Sequence, residues 1–282
     1  MKINLHTHTD YSIDGSISVR DLMIAAEQEG FEYFSITDHN SVDAYYDEAI
    51  NKPFTGKLIV GIELDALIDD VGIEILGYNI DLEKINKWCL KTYGNRNKLH
   101  QAMFNELERL CDKHGLKRDR NIEYQPDLDY PHAGIYDQII TANQKWLESY
   151  NIKSSTDFYR LSTTDKTFPL FIDMNKFWPT VDEVINAIHD AGGLAFLAHP
   201  HGYHNLDVDW LLDSLKNKVD GIEIFNSRHN PEQAKSLYDY ALKHNLLMSI
   251  GSDYHGPKKP AKLNCEIDPK LETEVLKWLG EV

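Results

Sequence analysis

Cysteine is scarce in this 282-residue chain: Cys89, Cys111 and Cys265 are the three present. None forms a CxxC pair, and their odd count argues against a disulfide framework or a thiolate zinc site. Long apolar runs are missing too, since no stretch approaches the roughly 20 residues of a membrane-spanning helix. The opening Met1-Lys2-Ile3-Asn4-Leu5-His6 has no apolar core of a secretory signal. The expected location is therefore the cytoplasm. Positive charge is also short, with 29 Lys and Arg against 45 Asp and Glu and a net charge of −16. Long nucleic acid is held mainly by cations that neutralise phosphates, so a chain without a basic run is a poor candidate for that role. A small phosphorylated substrate stays open, because metal ions can supply local positive charge.

What the chain does have is rhythm. Short apolar runs rich in β-branched residues predict strands at Lys2 to Leu5, Tyr33 to Thr37, Leu58 to Leu64, Ile73 to Tyr78, Ala195 to Ala198, Gly221 to Phe225 and Leu247 to Gly251. Helical patterns fall between most of them, at Val19 to Glu29, Val181 to Ala191, Val208 to Lys216 and Pro231 to His244. Such alternation predicts parallel strands with right-handed crossovers. Seven strands are enough to close a distorted barrel. The rhythm breaks over 81–178. There Asp81 to His114 reads as one long helix, and a second helical region runs from about Ile135 to Ser149. This segment has aromatic material of its own, and the expectation is a mostly helical insertion covering one end of a barrel built from 1–80 and 179–282.

Metal-type side chains recur just after the predicted strands, where parallel barrels place their active face. His6 and His8, two apart on an extended segment, share a side and can grip one ion. Asp14, beside Gly15, is a third candidate. Alone, this HxH is equally an ordinary structural pair. His39 follows the second strand, in a cluster (Thr37, Asp38, Asn40) that would also suit a helix cap. Glu63 lies in the apolar end of the third strand, a costly place for an acid without a cation or partner; Asp65 reads as a surface or loop carboxylate. Glu74 sits between apolar neighbours in the fourth strand. His199 ends the fifth, with His201 and His204 either lining a pocket or lying in a plain loop. Glu223, inside the sixth strand, reads as a paired structural acid. Arg228 and His229 beyond it suit a phosphate oxygen and a leaving-group proton, or simply start the next helix. Asp253 and His255 close the series after the last strand. A mixed N/O set of this size suits two or three divalent ions such as Zn, Mn or Fe.

The segments HTHTDYSIDG, TDHN, GIELDA, EILGY, AHPH, IEIFNSRHN and GSDYHG, in this order, resemble the polymerase and histidinol phosphatase (PHP) family of metal-dependent phosphoesterases. The resemblance covers roughly 1–80 and 179–256. It implies an α/β fold, a distorted seven-stranded (β/α)7 barrel, with a trinuclear metal site. One ion would be held by His6, His8, Glu63 and Asp253. A second would share Glu63 and use His199, with Glu74 where many members have histidine; a third would use Asp14, His39 and His255. A carboxylate at position 74 should favour Mn, Fe or Mg over Zn. Tyr130-Pro131-His132-Ala133 also resembles a family segment that precedes a helix near the pocket. The implied activity is hydrolysis of a phosphate ester, on a small phosphorylated metabolite or short nucleotide, by a metal-activated water. In that scheme Arg228 would clamp the phosphate and His229 would give the leaving group its proton. The AHP and IEIFNSRHN pieces look like members acting on nucleotide bisphosphates or short oligonucleotides. Histidinol-phosphate phosphatase, an amidohydrolase-like activity and a non-catalytic metal-binding module are the alternatives.

Overall fold

The computed structural model describes residues 2–203, 206–264 and 269–280. Seven strands lie in one sheet in chain order: β1 (Ile3–Asn4), β2 (Tyr33–Ile36), β3 (Lys57–Ile68), β4 (Val71–Tyr78), β5 (Leu194–Leu197), β6 (Gly221–Phe225) and β7 (Leu247–Ile250). The pairs β1–β2, β2–β3, β5–β6 and β6–β7 are parallel. The exit of β7 then meets β1. Leu5 N–H donates to Ile250 O at 3.0 Å, Asp253 N–H to His6 O at 2.9 Å and His8 N–H to Tyr254 O at 2.8 Å. A nearly closed barrel results.

One strand departs from the all-parallel expectation: β4 runs antiparallel to β5. The cause is local. β3 and β4 are joined by Asp69 and Asp70, both at positive φ (48° and 67°), the backbone of a two-residue hairpin turn. The chain therefore reverses directly instead of crossing over through a helix.

The helices are α1 (Val19–Glu29), α2 (Leu82–Thr92), α3 (Arg96–Lys113), α4 (Pro131–Ile140), α5 (Gln144–Ser149), α6 (Ser155–Thr164), α7 (Val181–Asp190), α8 (Val208–Leu215), α9 (Pro231–His244) and α10 (Pro269–Leu279). In α7 the buried residues Val181, Val184, Ile185 and Ile188 form the stripe of an amphipathic helix, and this helix packs against β5 as α9 does against β6. The single helix expected from Asp81 to His114 is two. Gly94 at φ 69° turns the chain out of α2, and the Asn95 side chain accepts from Lys98 N–H to cap α3. Asn and Gly inside an otherwise helical pattern were the visible signal.

The chain divides into two compact units. The first comprises Met1–Ala66, Ile73–Trp88 and Val181–Val282, and the second Leu67–Gly72 with Cys89–Thr180. The second unit has its own core, in which Phe104, Leu107, Ile135, Ile139, Phe158, Leu170 and Ile172 are buried. The tip of the β3–β4 hairpin belongs to it: Leu67 N–H donates to Pro179 O at 2.9 Å, and Lys166 pairs with Asp70. Cys89 and Cys111 are buried, whereas Cys265 and His204 lie outside the described residues.

His132 is the cost inside the second core. Its Nε2 is buried without a hydrogen bond, and burial, with His100 nearby, pushes the ring down to about 3. Above the unfolded value near 6.5 the ring is neutral in both states. Below it, the unfolded chain takes up a proton that the folded chain refuses, so stability is lost as pH falls from about 6.5 toward 3. Chemical denaturation at pH 7 and pH 5 should show a loss of about 1–2 kcal/mol from this ring. His132→Leu should flatten that acid dependence; an unchanged one would assign the acid sensitivity elsewhere.

Candidate metal centre

Two imidazoles of β1's exit meet in an unusual contact. His6 Nε2 and His8 Nε2 lie 3.1 Å apart, both fully buried. The tautomers follow from the opposite ring nitrogens. His6 Nδ1 faces Glu223 Oε1 at 2.9 Å, and a carboxylate only accepts, so the proton is on Nδ1. His8 Nδ1 faces Ser12 Oγ at 3.1 Å; that hydroxyl donates its own proton to Asp38 Oδ1 at 2.7 Å, leaving oxygen lone pairs for His8. In the neutral rings, two nitrogen lone pairs thus point at one spot.

Two carboxylate oxygens point at it as well. Glu63 Oε2 is 3.2 Å from both Nε2 atoms. Asp253 Oδ1 is 3.4 Å from that of His6 and 3.3 Å from that of His8. A tetrahedral ion with bonds of about 2.0–2.1 Å spaces its ligands about 3.3–3.4 Å apart. The spacings agree. Glu63 Oε2 and Asp253 Oδ1 are also buried without a hydrogen-bond partner, as expected of atoms shaped for a cation.

The other candidates extend from this tetrad. Glu63 Oε1 is 3.1 Å from His199 Nε2, which lies 3.2 Å from Glu74 Oε2; the three form a possible second cation position. On the other side, His255 donates from Nδ1 to Asp253 O at 2.9 Å, so its Nε2 is a lone pair, and it stands 3.2 Å from Asp14 Oδ2. His39 Nε2 is 3.9 Å from Asp14 Oδ1, and His39, His255 and His8 cluster closely enough to share an ion. All nine residues expected to bind metal are therefore brought to one end of the barrel. The backbone is contorted to do so, with positive φ at Asn40 (56°), His199 (23°) and Asp253 (57°). Strain of that kind persists only where the surroundings dictate it. Gly251 is required for a related reason: a Cβ there would sit 2.2 Å from His6 Cβ.

Charge in the centre is mutually reinforcing. Burial works against an imidazolium at His6, but the Glu63, Glu223 and Asp253 carboxylates outweigh it and raise the ring well above its usual range. His199 is pushed up to about 10, because Glu63 and Glu74 overcome the same burial penalty. Burial likewise opposes ionisation of Glu63, and His6, His39 and His199 bring it well below the usual carboxylate range. The cavity wall attracts positive charge.

Three acids outside the expected ligand set also have a role here, of which Glu223 reads from the sequence as a paired structural acid. Asp65, expected at the surface, is half-buried. It accepts from Asn40 Nδ2 at 2.6 Å and groups with His39 and Glu74. Burial pushes it up to about 7, with His39 opposing and Glu74 adding. Its alternation with Glu63 was the available hint. Asp38, read as a cap, accepts from Thr9 N–H, Thr9 Oγ1 and Ser12 Oγ and so fixes the partner of His8. Glu223 accepts from His6, from His199 N–H at 2.8 Å and from Asn226 Nδ2 at 2.9 Å.

Arg228 and His229 differ sharply. The Arg228 guanidinium is 2.7 Å from Asp253 Oδ2 and half-exposed, at the rim of the tetrad. His229 is buried, with Nδ1 directed at Ile224 O and Nε2 accepting from His201 N–H, each at 3.4 Å. Burial pushes its ring down to about 4. A neutral imidazole with both nitrogens engaged does not fit the proton donor expected from the sequence. His201 is half-buried, edge-on to that ring.

Glu223→Gln tests how the tetrad is held. An amide cannot accept on both sides, so either His6 or the His199–Asn226 pair loses its partner. Divalent-ion affinity, measured by chelator competition, should fall about 10–100-fold with the fold intact by circular dichroism. Unaltered affinity would show that Glu223 does not orient the ligands.

The geometry has counterparts. A model of the PHP domain matches residues 4–244. The 5'-3' exoribonuclease of Haemophilus influenzae is 26% identical over 282 residues, covering 95% of this chain and 94% of that protein. The 3',5'-nucleoside bisphosphate phosphatase of Chromobacterium violaceum is 31% identical over 273 residues, covering 90% and 87%. Among solved structures, a protein of Bifidobacterium adolescentis assigned as a metal-dependent phosphoesterase superposes with a TM-score of 0.67 at 26% identity, covering 98% of this chain and 95% of its own. With the barrel and the clustered His, Asp and Glu side chains, these matches place the chain in the PHP domain family, as a metal-dependent phosphoric ester hydrolase.

Proposed function

We propose that this enzyme hydrolyses a phosphate ester of a small nucleotide or short oligonucleotide. The observation that carries the reading is the double use of Asp253: one oxygen faces the His6–His8–Glu63 set and the other holds Arg228. A cation-binding atom and a half-exposed guanidinium are thereby fixed on one carboxylate. Divalent ions at such a centre would lower the pKa of a water and neutralise phosphoryl oxygens.

The chain's own groups have separable tasks. His6, His8, Glu63 and Asp253 would hold one ion and Glu63, Glu74 and His199 a second. Asp14, His39 and His255 would hold a third. Glu63 joins the first two because its two oxygens face different histidines. Glu74, with Asp65 close by, makes that side carboxylate-rich, which favours Mn, Fe or Mg over Zn. Arg228 would hold the substrate phosphate through the N–H groups not committed to Asp253, since a guanidinium offers five. The leaving-group proton would come from a group other than His229. Two of the relatives are named for nucleotide substrates, a 5'-3' exoribonuclease and a nucleoside bisphosphate phosphatase, which supports the nucleotide class over histidinol phosphate.

With Mn2+ present, the purified protein should release phosphate or nucleotide from a 3',5'-bisphosphate or a short RNA, and chelation should remove the activity. No metal-dependent product across a panel of mono- and diesters would sink the proposal. Arg228→Met should raise KM about 10–100-fold, the loss of a charge-assisted contact of about 1.5–3 kcal/mol. His229→Gln should leave the pH profile of kcat unchanged. A lost pH limb in that variant would return His229 to the role of acid.

A further inference from the structure

The Asp14 end of the centre already holds a cation from the chain itself. Lys259 Nζ lies 3.2 Å from Asp14 Oδ2, the same oxygen that stands 3.2 Å from His255 Nε2. The other oxygen, Asp14 Oδ1, is buried without a hydrogen bond. The Lys259 side chain is 45% exposed while that of Asp14 is 15% exposed, so Lys259 reaches in from the solvent side.

The turn that delivers it is tied to the loop that carries Asp14. Ser16 N–H and Ser16 Oγ both donate to His255 O, at 2.8 and 2.9 Å. Gly256 follows at φ 89°, where a Cβ would meet Ser16 Oγ at 2.6 Å. Lys258 N–H donates back to Ser16 Oγ at 3.4 Å, and Lys259 N–H to Gly256 O at 3.3 Å. With Asp14 two residues before Ser16 and Lys259 four after His255, the chain is thus pinned so that a lysine falls opposite Asp14. In a chain with 45 acidic and 29 basic residues, a lysine on a metal-type carboxylate is a specific placement.

We propose that Lys259 is a resident competitor for the third cation: its ammonium occupies the Asp14 carboxylate and makes the Asp14–His39–His255 position weaker and more readily emptied than the other two. This rests on the reading of the site as a metal centre. A dication on Asp14 Oδ1 and an ammonium on Oδ2 would repel each other across one carboxylate, so the third ion binds more weakly while Lys259 stays and is favoured when Lys259 swings into solvent. The first two positions use carboxylates that Lys259 does not touch among the described contacts, and they should not feel its loss.

The test is Mn2+ titration of the metal-stripped full-length protein by calorimetry, with elemental analysis after dialysis against graded free Mn2+. The wild type should show two tighter ions and a weaker third. In Lys259→Met the third should tighten about threefold to tenfold, with the other two unchanged, whereas Lys259→Arg, which keeps the charge, should resemble the wild type. A third site that differs less than twofold between wild type and Lys259→Met overturns the proposal, as does a third ion that binds neither protein. Tightening of all three ions together would also overturn it, because the effect would then be general electrostatics. If neither protein binds Mn2+ at all, the metal centre and this inference fail together; two bound ions without a response at the third defeat this inference alone.

Discussion

Four electron-rich atoms that converge on one point, out of reach of water, cannot be stable by their own contacts. His6 Nε2, His8 Nε2, Glu63 Oε2 and Asp253 Oδ1 are each within 3.4 Å of their measured neighbours, and each side chain is almost wholly buried. Without a cation or a proton between them, lone pairs at that separation repel, and the low dielectric of the interior leaves the repulsion unscreened. The surrounding barrel tolerates this because it expects a positive charge in the middle. The rest of the centre takes its shape from the same demand: Glu63 turns its second oxygen to His199, and Asp253 turns its own to Arg228.

That demand is met only if the rings face the right way, and the orientation is delegated to acids that point away from the centre. Glu223 on β6 and Asp38 beyond β2 are buried carboxylates saturated by donors. Each determines, directly or through Ser12, which nitrogen of a histidine carries the proton. Such outer partners are part of a metal site's affinity rather than decoration. Their distribution over β1, β2 and β6 means that ring orientation is a property of the closed barrel and of no single strand.

The parts of this design that could be read from the sequence are those written in short range. His6 and His8 share a face because an extended segment alternates, and Glu63 was conspicuous as an acid inside the apolar run of β3. The seven strands appear near their expected places. What escaped depended on distant pairs. Asp38 looked like a helix cap because nothing local shows that Thr9 and Ser12 would fold over it. Asp65 looked exposed since its partner Asn40 comes from another loop. His229 looked like an acid because composition cannot reveal that His201 N–H and Ile224 O would occupy its ring. Lys259 gave no signal at all. The reversal of β4 was hidden in an Asp69-Asp70 pair whose positive φ is unusual for residues other than glycine.

Closure between β1 and β7 has a consequence for how the molecule comes into being. The hydrogen bonds that seal the barrel run from residue 5 to 250 and from residue 253 to 6, so the first strand and the last must find each other across nearly the whole length of the chain. During synthesis β1 can pair with β2 as soon as both have left the ribosome, yet its other edge stays open until almost everything else has been made. For that interval the two histidines just beyond the first strand stand beside an unfinished wall. Glu223 and Asp253 have yet to arrive, and any metal picked up then would be held by a partial ligand set. The full ligand set is therefore assembled only when the final strand docks, and a chain cut short before residue 253 would have most of its barrel and lack part of that set.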